Sequence, residues 1–188
     1  MVSDRKSFPC PSIVSVANVV TGFRLLLSLP FAVCMAGSDW RYAGWAGVIL
    51  AAAIVSDLVD GVIARRMGTA SATGRLFDHC ADVVFVVSGL GAGTLRGAFP
   101  WALPVLVAAA FAQYAIDSYV VDRAGALRAS RLGRYNGILY FVPLGGDVLV
   151  RMGASVLRPA VIAVAWILIV STVVSMGERL VGAVTRPR

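Results

Sequence analysis

The chain has 188 residues, of which 59% are hydrophobic and 14% are charged, and its mean hydropathy is +0.82. A soluble domain of this length does not need so much apolar surface, so the composition excludes an ordinary water-soluble enzyme. The formal net charge is +7, but the basic residues are spread among several links, which argues against a nucleic-acid-binding patch. Three cysteines, Cys10, Cys34 and Cys80, lack metal-binding spacing and imply no disulfide framework.

Six apolar segments follow one another, separated by short links rich in Gly, Pro, Ser and charged residues. A spanning helix needs about 20 apolar residues, so several spans fit and little chain remains for a soluble domain. The sequence therefore predicts an all-α integral membrane protein with six transmembrane helices and a single domain over 1–188. The predicted spans are 14–36, 42–65, 76–95, 99–121, 136–151 and 159–182.

The basic residues predict the orientation of these spans. With the N-terminus inside, most of the 17 basic residues fall on the cytoplasmic side, as the positive-inside rule requires. The four that fall outside are Arg41, Arg96, Arg151 and Arg158. Both termini and the link between the second and third spans are then cytoplasmic. We expect multi-pass insertion into the cell (inner) membrane.

The first span carries three polar residues at helical spacing, Asn18, Thr21 and Arg24. Polar groups on one stripe of a membrane helix are costly in hydrocarbon and therefore indicate a structural or functional role. They would either line a ligand site, or bond to neighbouring helices or lipid headgroups. Both alternatives stay open at this stage.

The stretch 57–82 carries the candidate chemistry. It holds four of the chain's ten acidic residues, each next to a long apolar segment. A charge at the edge of hydrocarbon costs roughly 2.5 to 3.5 kcal/mol, so acids placed there are candidates for function. Because four close carboxylates repel one another, something cationic should hold them.

Helical geometry gives each half of the stretch one acidic face. At about 100° per residue, two carboxylates and two very small residues fall within roughly 60° in the first half. These are Asp57, Asp60, Gly61 and Ala64. Gly74, Asp78 and Asp82 repeat the pattern at intervals of four residues. Two such helices would form an oxygen-rich cage suited to Mg²⁺, Mn²⁺ or Ca²⁺.

The whole stretch reads Asp-x2-Asp-Gly-x2-Ala-Arg, eight residues, then Gly-x3-Asp-x3-Asp. This pattern resembles the signature of the CDP-alcohol phosphotransferases (class I CDP-alcohol phosphatidyltransferases). The matching positions are Asp57, Asp60, Gly61, Ala64, Arg65, Gly74, Asp78 and Asp82. The resemblance implies transfer of a phosphatidyl group from a CDP-alcohol, typically CDP-diacylglycerol, to a hydroxyl acceptor, with release of CMP. It also implies a homodimer in the bilayer, with no nucleic acid as partner.

The resemblance also implies roles for individual residues. One or two Mg²⁺ or Mn²⁺ ions would be held by Asp57, Asp60, Asp78 and Asp82. Asp82 would also be the general base. The donor nucleotide would be bound by residues of the first span, the motif and its central turn. These are Asn18, Asp60, Gly61, Arg65, Ser71 and Gly74.

The acceptor is less determined. Arg128, Arg131 and Arg134 form a basic stripe that would bind an acceptor phosphate, contact anionic lipid, or only set topology. The stripe favours glycerol 3-phosphate or inositol phosphate. Val83 follows the last motif aspartate where many members of the family using these acceptors have Lys or Arg, so a non-phosphorylated or lipid acceptor stays open. Outside the family, the rivals are a membrane cation transporter that uses the same acids and a catalytically silent scaffold.

Overall fold

The computed structural model describes residues 12–67, 72–121 and 131–184, with side chains described over 21–58, 78–117, 132–133 and 135–182. Within these ranges the regular structure is entirely helical, which confirms the all-α part of the predicted fold class. The α-helices are α1 (Ser12–Ala36), α2 (Trp40–Met67), α3 (Ala72–Leu95), α4 (Ala102–Val121), α5 (Arg131–Leu139), α6 (Phe141–Arg151) and α7 (Arg158–Val184). A 3₁₀ turn, Ser155–Leu157, leads into α7.

Each predicted span coincides with helix, but the fifth, 136–151, is divided between α5 and α6. Pro143 explains the division, because it has no N–H to donate to the carbonyl of Leu139, where α5 ends. Two described segments are long and apolar enough to cross a membrane, Trp40–Leu58 and Ser155–Gly182. The six spans and the cytoplasmic termini remain predictions.

Helix α1 occupies the middle of the first half of the fold. It packs against both α2 and α3, whereas α2 and α3 make no direct contact with each other over the residues described. Helix α6 packs on α2 and α7, and α4 packs on α3 and α7. The two halves of the acidic motif therefore approach each other across α1.

The core lies where α1, α3 and α6 meet. The rings of Phe31 and Phe85 are stacked with centroids 4.4 Å apart, and Leu144 is fully buried beside them. A Cβ atom on Gly89 would overlap the ring of Phe31, whereas one on Gly91 would meet open space. A glycine at position 89 is what allows α3 to pack closely on α1.

Polarity is inverted relative to a water-soluble domain. Large apolar side chains face outwards, among them Leu26 (75% exposed) and Leu29 (72% exposed). Polar side chains such as Arg24, Asn136 and Thr172 are buried. An exterior of this kind needs an apolar environment, which a lipid bilayer supplies.

Candidate active site

The guanidinium of Arg24 is the centre of the acidic site. Its side chain is only 1% exposed and comes from α1. Nη2 lies 3.1 Å from Oδ1 of Asp57, and Nη1 lies 3.2 Å from Oδ1 of Asp78. Nη1 also donates to Oδ1 of Asp82. Three carboxylates from two helices thus share one cation from a third.

The helices place these groups by simple periodicity. Asp78 and Asp82 are one turn apart on α3, so both face the same side. Thr21 precedes Arg24 by one turn on α1, and its hydroxyl donates to Oδ1 of Asp78 at 3.5 Å. Thr21 and Arg24 therefore bond to a neighbouring helix, which is one of the two alternatives predicted for this stripe. The pairing of Arg24 with three motif acids was not predicted.

The three carboxylate side chains differ in how far they are exposed. The side chain of Asp57 is 52% exposed, that of Asp78 is 37% exposed, and that of Asp82 is 27% exposed. Asp57 lies in the second half of α2, ten residues before its end, and Asp78 lies six residues after the start of α3. The partly exposed carboxylates therefore lie towards the end of the bundle where α2 ends and α3 begins, and a ligand can reach their oxygens while Arg24 stays buried.

The donor chemistry of the site fits a hard divalent cation. Among the described side chains, three carboxylates share one guanidinium, and oxygen ligands are those that Mg²⁺ and Mn²⁺ prefer. As they lie, the carboxylates are arranged around Arg24. Among the described side chains, no three Asp, Glu, His or Cys residues form a ready-made metal cluster.

Other predicted site residues lie where the structure describes no side chain. Ser71 and Arg128 fall outside the described residues. Backbone alone is described, as helix, for Asn18, Asp60, Gly61, Arg65, Gly74, Arg131 and Arg134. Their roles remain predictions.

A second polar cluster joins α5, α7 and the turn before α6. The hydroxyls of Tyr140 and Thr172 are 2.7 Å apart, and the Ser171 hydroxyl donates to Oδ1 of Asn136 at 2.8 Å. Nδ2 of Asn136 is buried without a hydrogen-bond partner among the described residues. The sequence analysis did not identify this cluster, because isolated Ser and Thr residues barely change the hydropathy of α7. The adjacent hydroxyl residues Ser171 and Thr172 were the signal that α7 offered.

Residues 14–177 match the family model described as CDP-alcohol phosphatidyltransferase. The chain belongs to this family. The match contains the complete acidic motif and most of the helical fold, and it confirms the resemblance drawn from the motif. As a member of the CDP-alcohol phosphatidyltransferases, the chain belongs among transferases of phospholipid synthesis.

Curated relatives within the family carry two kinds of name. A probable phosphatidylglycerophosphate synthase of Mycobacterium tuberculosis (strain H37Rv) is 29% identical over 162 residues, which cover 84% of this chain and 77% of the relative. The cardiolipin synthase (CMP-forming) of Streptomyces coelicolor is 44% identical over 66 residues, which cover 35% of this chain and 31% of the relative. No solved structure gives a significant match.

Proposed function

We propose that this protein transfers the phosphatidyl group of CDP-diacylglycerol to the hydroxyl of a phosphorylated polyol, such as glycerol 3-phosphate or inositol phosphate, and releases CMP. One observation carries the proposal. Asp57, Asp78 and Asp82 converge on a single cation at one open end of the bundle, inside a chain of the CDP-alcohol phosphatidyltransferase family.

The reaction assigns a defined task to Asp82. The acceptor oxygen forms a bond to the phosphorus of the phosphatidyl group, and the bond from that phosphorus to the CMP oxygen breaks. Asp82 accepts the proton of the acceptor hydroxyl, and CMP departs with the bonding electrons. Asp82 has the least exposed of the three described carboxylates, which suits a base that must exclude competing water.

The remaining motif residues bind and orient the donor. Arg65 would contact the diphosphate through its planar guanidinium, and Gly61 would let the nucleotide lie close to α2. Asn18, Ser71 and Gly74 would complete the nucleotide site.

Asp57, Asp60, Asp78 and Asp82 would hold one or two Mg²⁺ or Mn²⁺ ions. When bound, the metal would neutralise the negative charge that develops on the phosphate of the departing CMP.

The acceptor follows from charge and from the longer of the two similarities. Arg128, Arg131 and Arg134 would attract an anionic acceptor, and the relative that covers most of this chain is named for phosphatidylglycerophosphate synthesis. A lipid hydroxyl is the second candidate, because the shorter but closer similarity is to a cardiolipin synthase (CMP-forming).

The proposed location is the inner membrane, with the site facing the cytoplasm and the chain acting as a homodimer. Outward-facing apolar side chains and the two long apolar segments support a membrane location. Clustering of the described motif acids around Arg24 favours this location over a transporter, whose acids should lie near the bilayer midplane on several spans.

The test is CMP release by the purified protein with CDP-diacylglycerol and Mg²⁺ or Mn²⁺. The acceptor panel contains glycerol 3-phosphate, inositol phosphate, serine and phosphatidylglycerol. We expect turnover with a phosphorylated polyol, and a higher acceptor KM in Arg128→Ala and Arg131→Ala. Turnover with phosphatidylglycerol alone would select the second candidate. No CMP release with any acceptor, from a folded protein, would contradict the proposal.

A further inference from the structure

A second charged site lies at the other end of the bundle. Arg96 follows the last residue of α3, 18 positions after Asp78, which is roughly 25 Å along a helix axis. There the turn that follows α3, the end of α6 and the start of α7 line a cavity of about 300 Å³. Its charged lining residues are Arg96, Asp147, Arg151 and Arg158. None of them belongs to the motif or to the proposed acceptor stripe.

The cavity has an excess of positive charge. Asp147 is its single acid among the described lining residues, and its side chain is 7% exposed. Oδ2 of Asp147 lies 2.5 Å from Nη2 of Arg96 and 3.9 Å from Nη1 of Arg151. One carboxylate therefore serves two guanidiniums, and Arg158 adds a third. This leaves two positive charges unbalanced at the wall of one cavity.

Arg151 is fixed in place, but it shares its one acidic partner with Arg96. Its side chain is only 6% exposed, and Nη2 donates to the backbone carbonyls of Cys34 at 3.1 Å and Gly37 at 2.5 Å. Nε and Nη1 are buried without a hydrogen-bond partner among the described residues. A cation held in this way is unfavourable unless an anion shares its surroundings, because the neighbouring carboxylate already serves Arg96.

The start of helix α7 adds to the positive potential in the cavity. Ser155, Arg158, Val161 and Ile162 line the cavity, so the first turn of this 27-residue helix borders it. The start of a helix carries a partial positive charge, which favours an oxyanion nearby. Val161, Ile162 and Ala98 make the rest of the wall apolar.

We propose that this cavity binds a phosphate-type oxyanion between Arg96 and Arg158, with Arg151 as a fixed charge behind them. The apolar part of the wall suits a phosphate that carries an acyl-glycerol group, and the predicted topology places the cavity at the outer face of the membrane. A lipid headgroup and free phosphate share this chemistry. The site is independent of phosphatidyl transfer, because it shares no residue with the motif.

The test uses the purified full-length protein in detergent and two probes. Inorganic phosphate is titrated while tryptophan fluorescence reports thermal unfolding, and phosphatidylglycerol is titrated while native mass spectrometry counts bound lipids. Arg158→Gln removes an exposed arginine that stabilises no described salt bridge, so the fold should survive. Arg41→Gln is the matched control, because Arg41 is exposed and predicted on the same side but does not line the cavity.

We expect Arg158→Gln to raise the apparent Kd of one saturable binding event about tenfold or more, with Arg41→Gln unchanged. Ser155→Asp, which adds a negative charge at the rim, should have the same effect without removing an arginine.

The two titrations distinguish the sources of the anion. Weaker binding of phosphatidylglycerol alone identifies a headgroup site, and weaker binding of inorganic phosphate alone identifies a free-anion site. Both support the proposal. Equal binding by all four proteins, wild type included, would overturn it. CMP release should be the same in Arg158→Gln as in wild type, so failure here does not bear on the transferase reaction.

Discussion

At the scale of single residues, Arg24 determines how the acidic site is arranged. Its guanidinium is almost fully buried and is shared by Asp57, Asp78 and Asp82. Carboxylates so close together would repel one another without this charge. The arginine therefore both holds the site together and competes with any metal ion for the same oxygens.

Replacing Arg24 should reveal this competition. We expect Arg24→Ala to lower the free energy of unfolding by about 3 kcal/mol, at the low end for a broken buried pair because the carboxylates are partly exposed. Added Mg²⁺ or Mn²⁺ should then raise the melting temperature more in the variant than in wild type. Thermal unfolding with and without metal measures both effects.

Arg41→Ala is the control for that experiment, because Arg41 is exposed and takes part in no described salt bridge. Equal metal stabilisation in Arg24→Ala and wild type would show that arginine and metal do not share the carboxylates.

Asp82→Asn tests the proposed base. We expect CMP release to fall by at least about 100-fold, because an amide cannot accept the hydroxyl proton. The melting temperature should change little, since the amide oxygen can still accept from Arg24. Asp39→Asn, an exposed acid outside the motif, should retain full activity. Wild-type turnover in Asp82→Asn would remove the base assignment.

The residue scale also shows what a sequence can and cannot predict. Spacing alone predicted one face for Asp78 and Asp82, because helical periodicity is local. It also predicted that the acids need a cation. Which of the 17 basic residues supplies it depends on how α1 packs between α2 and α3, and packing between helices leaves no periodic signal in the chain.

At the scale of elements, the close approach of α1 and α3 rests on a missing side chain. Gly89 leaves the space that the ring of Phe31 fills. The sequence has glycine at positions 89, 91 and 93 of α3, and their spacing alone does not show which of them faces a neighbour. Gly91 faces open space. The division between α5 and α6 was missed for a related reason, since average hydropathy over 136–151 does not register the lost hydrogen bond at Pro143.

Gly89→Ala and Gly91→Ala form a matched pair on one helix. The first should lower the free energy of unfolding by about 1 to 3 kcal/mol, because the stacked rings of Phe31 and Phe85 leave little room to adjust. The second should be neutral or slightly stabilising, because alanine favours helix. Denaturant unfolding in detergent measures both. A larger loss at position 91 than at position 89 would contradict this packing.

At the scale of the whole molecule, the two charged sites lie at opposite ends of the bundle. Among the described side chains, the acidic site holds three carboxylates and one guanidinium, whereas the cavity beside α7 holds three guanidiniums and one carboxylate. The all-helical fold was predictable because long apolar segments can satisfy their backbone only as helix in a membrane. The arrangement of the helices was not, since hydropathy gives the approximate limits of the apolar segments but not their neighbours.

The predicted orientation can be tested by labelling single cysteines in intact cells, with the three native cysteines replaced by serine. We expect Ser38→Cys to react with a membrane-impermeant maleimide, because Ser38 lies in the first link that is predicted to be outside. Thr69→Cys should react only after permeabilisation, because the link between the motif halves is predicted to be cytoplasmic. Labelling of Thr69→Cys alone in intact cells would reverse the topology and move the proposed reaction to the outer face.

The position of Arg24 in the first helix also bears on how the protein is made. In the proposed membrane location, α1 leaves the ribosome before any of its three partner acids, and the last of them, Asp82, is added 58 residues later. Until then the first helix carries a guanidinium that hydrocarbon disfavours. Each partner acid lowers this cost as it is added, so we expect α1 to reach its final depth together with α2 and α3 rather than alone.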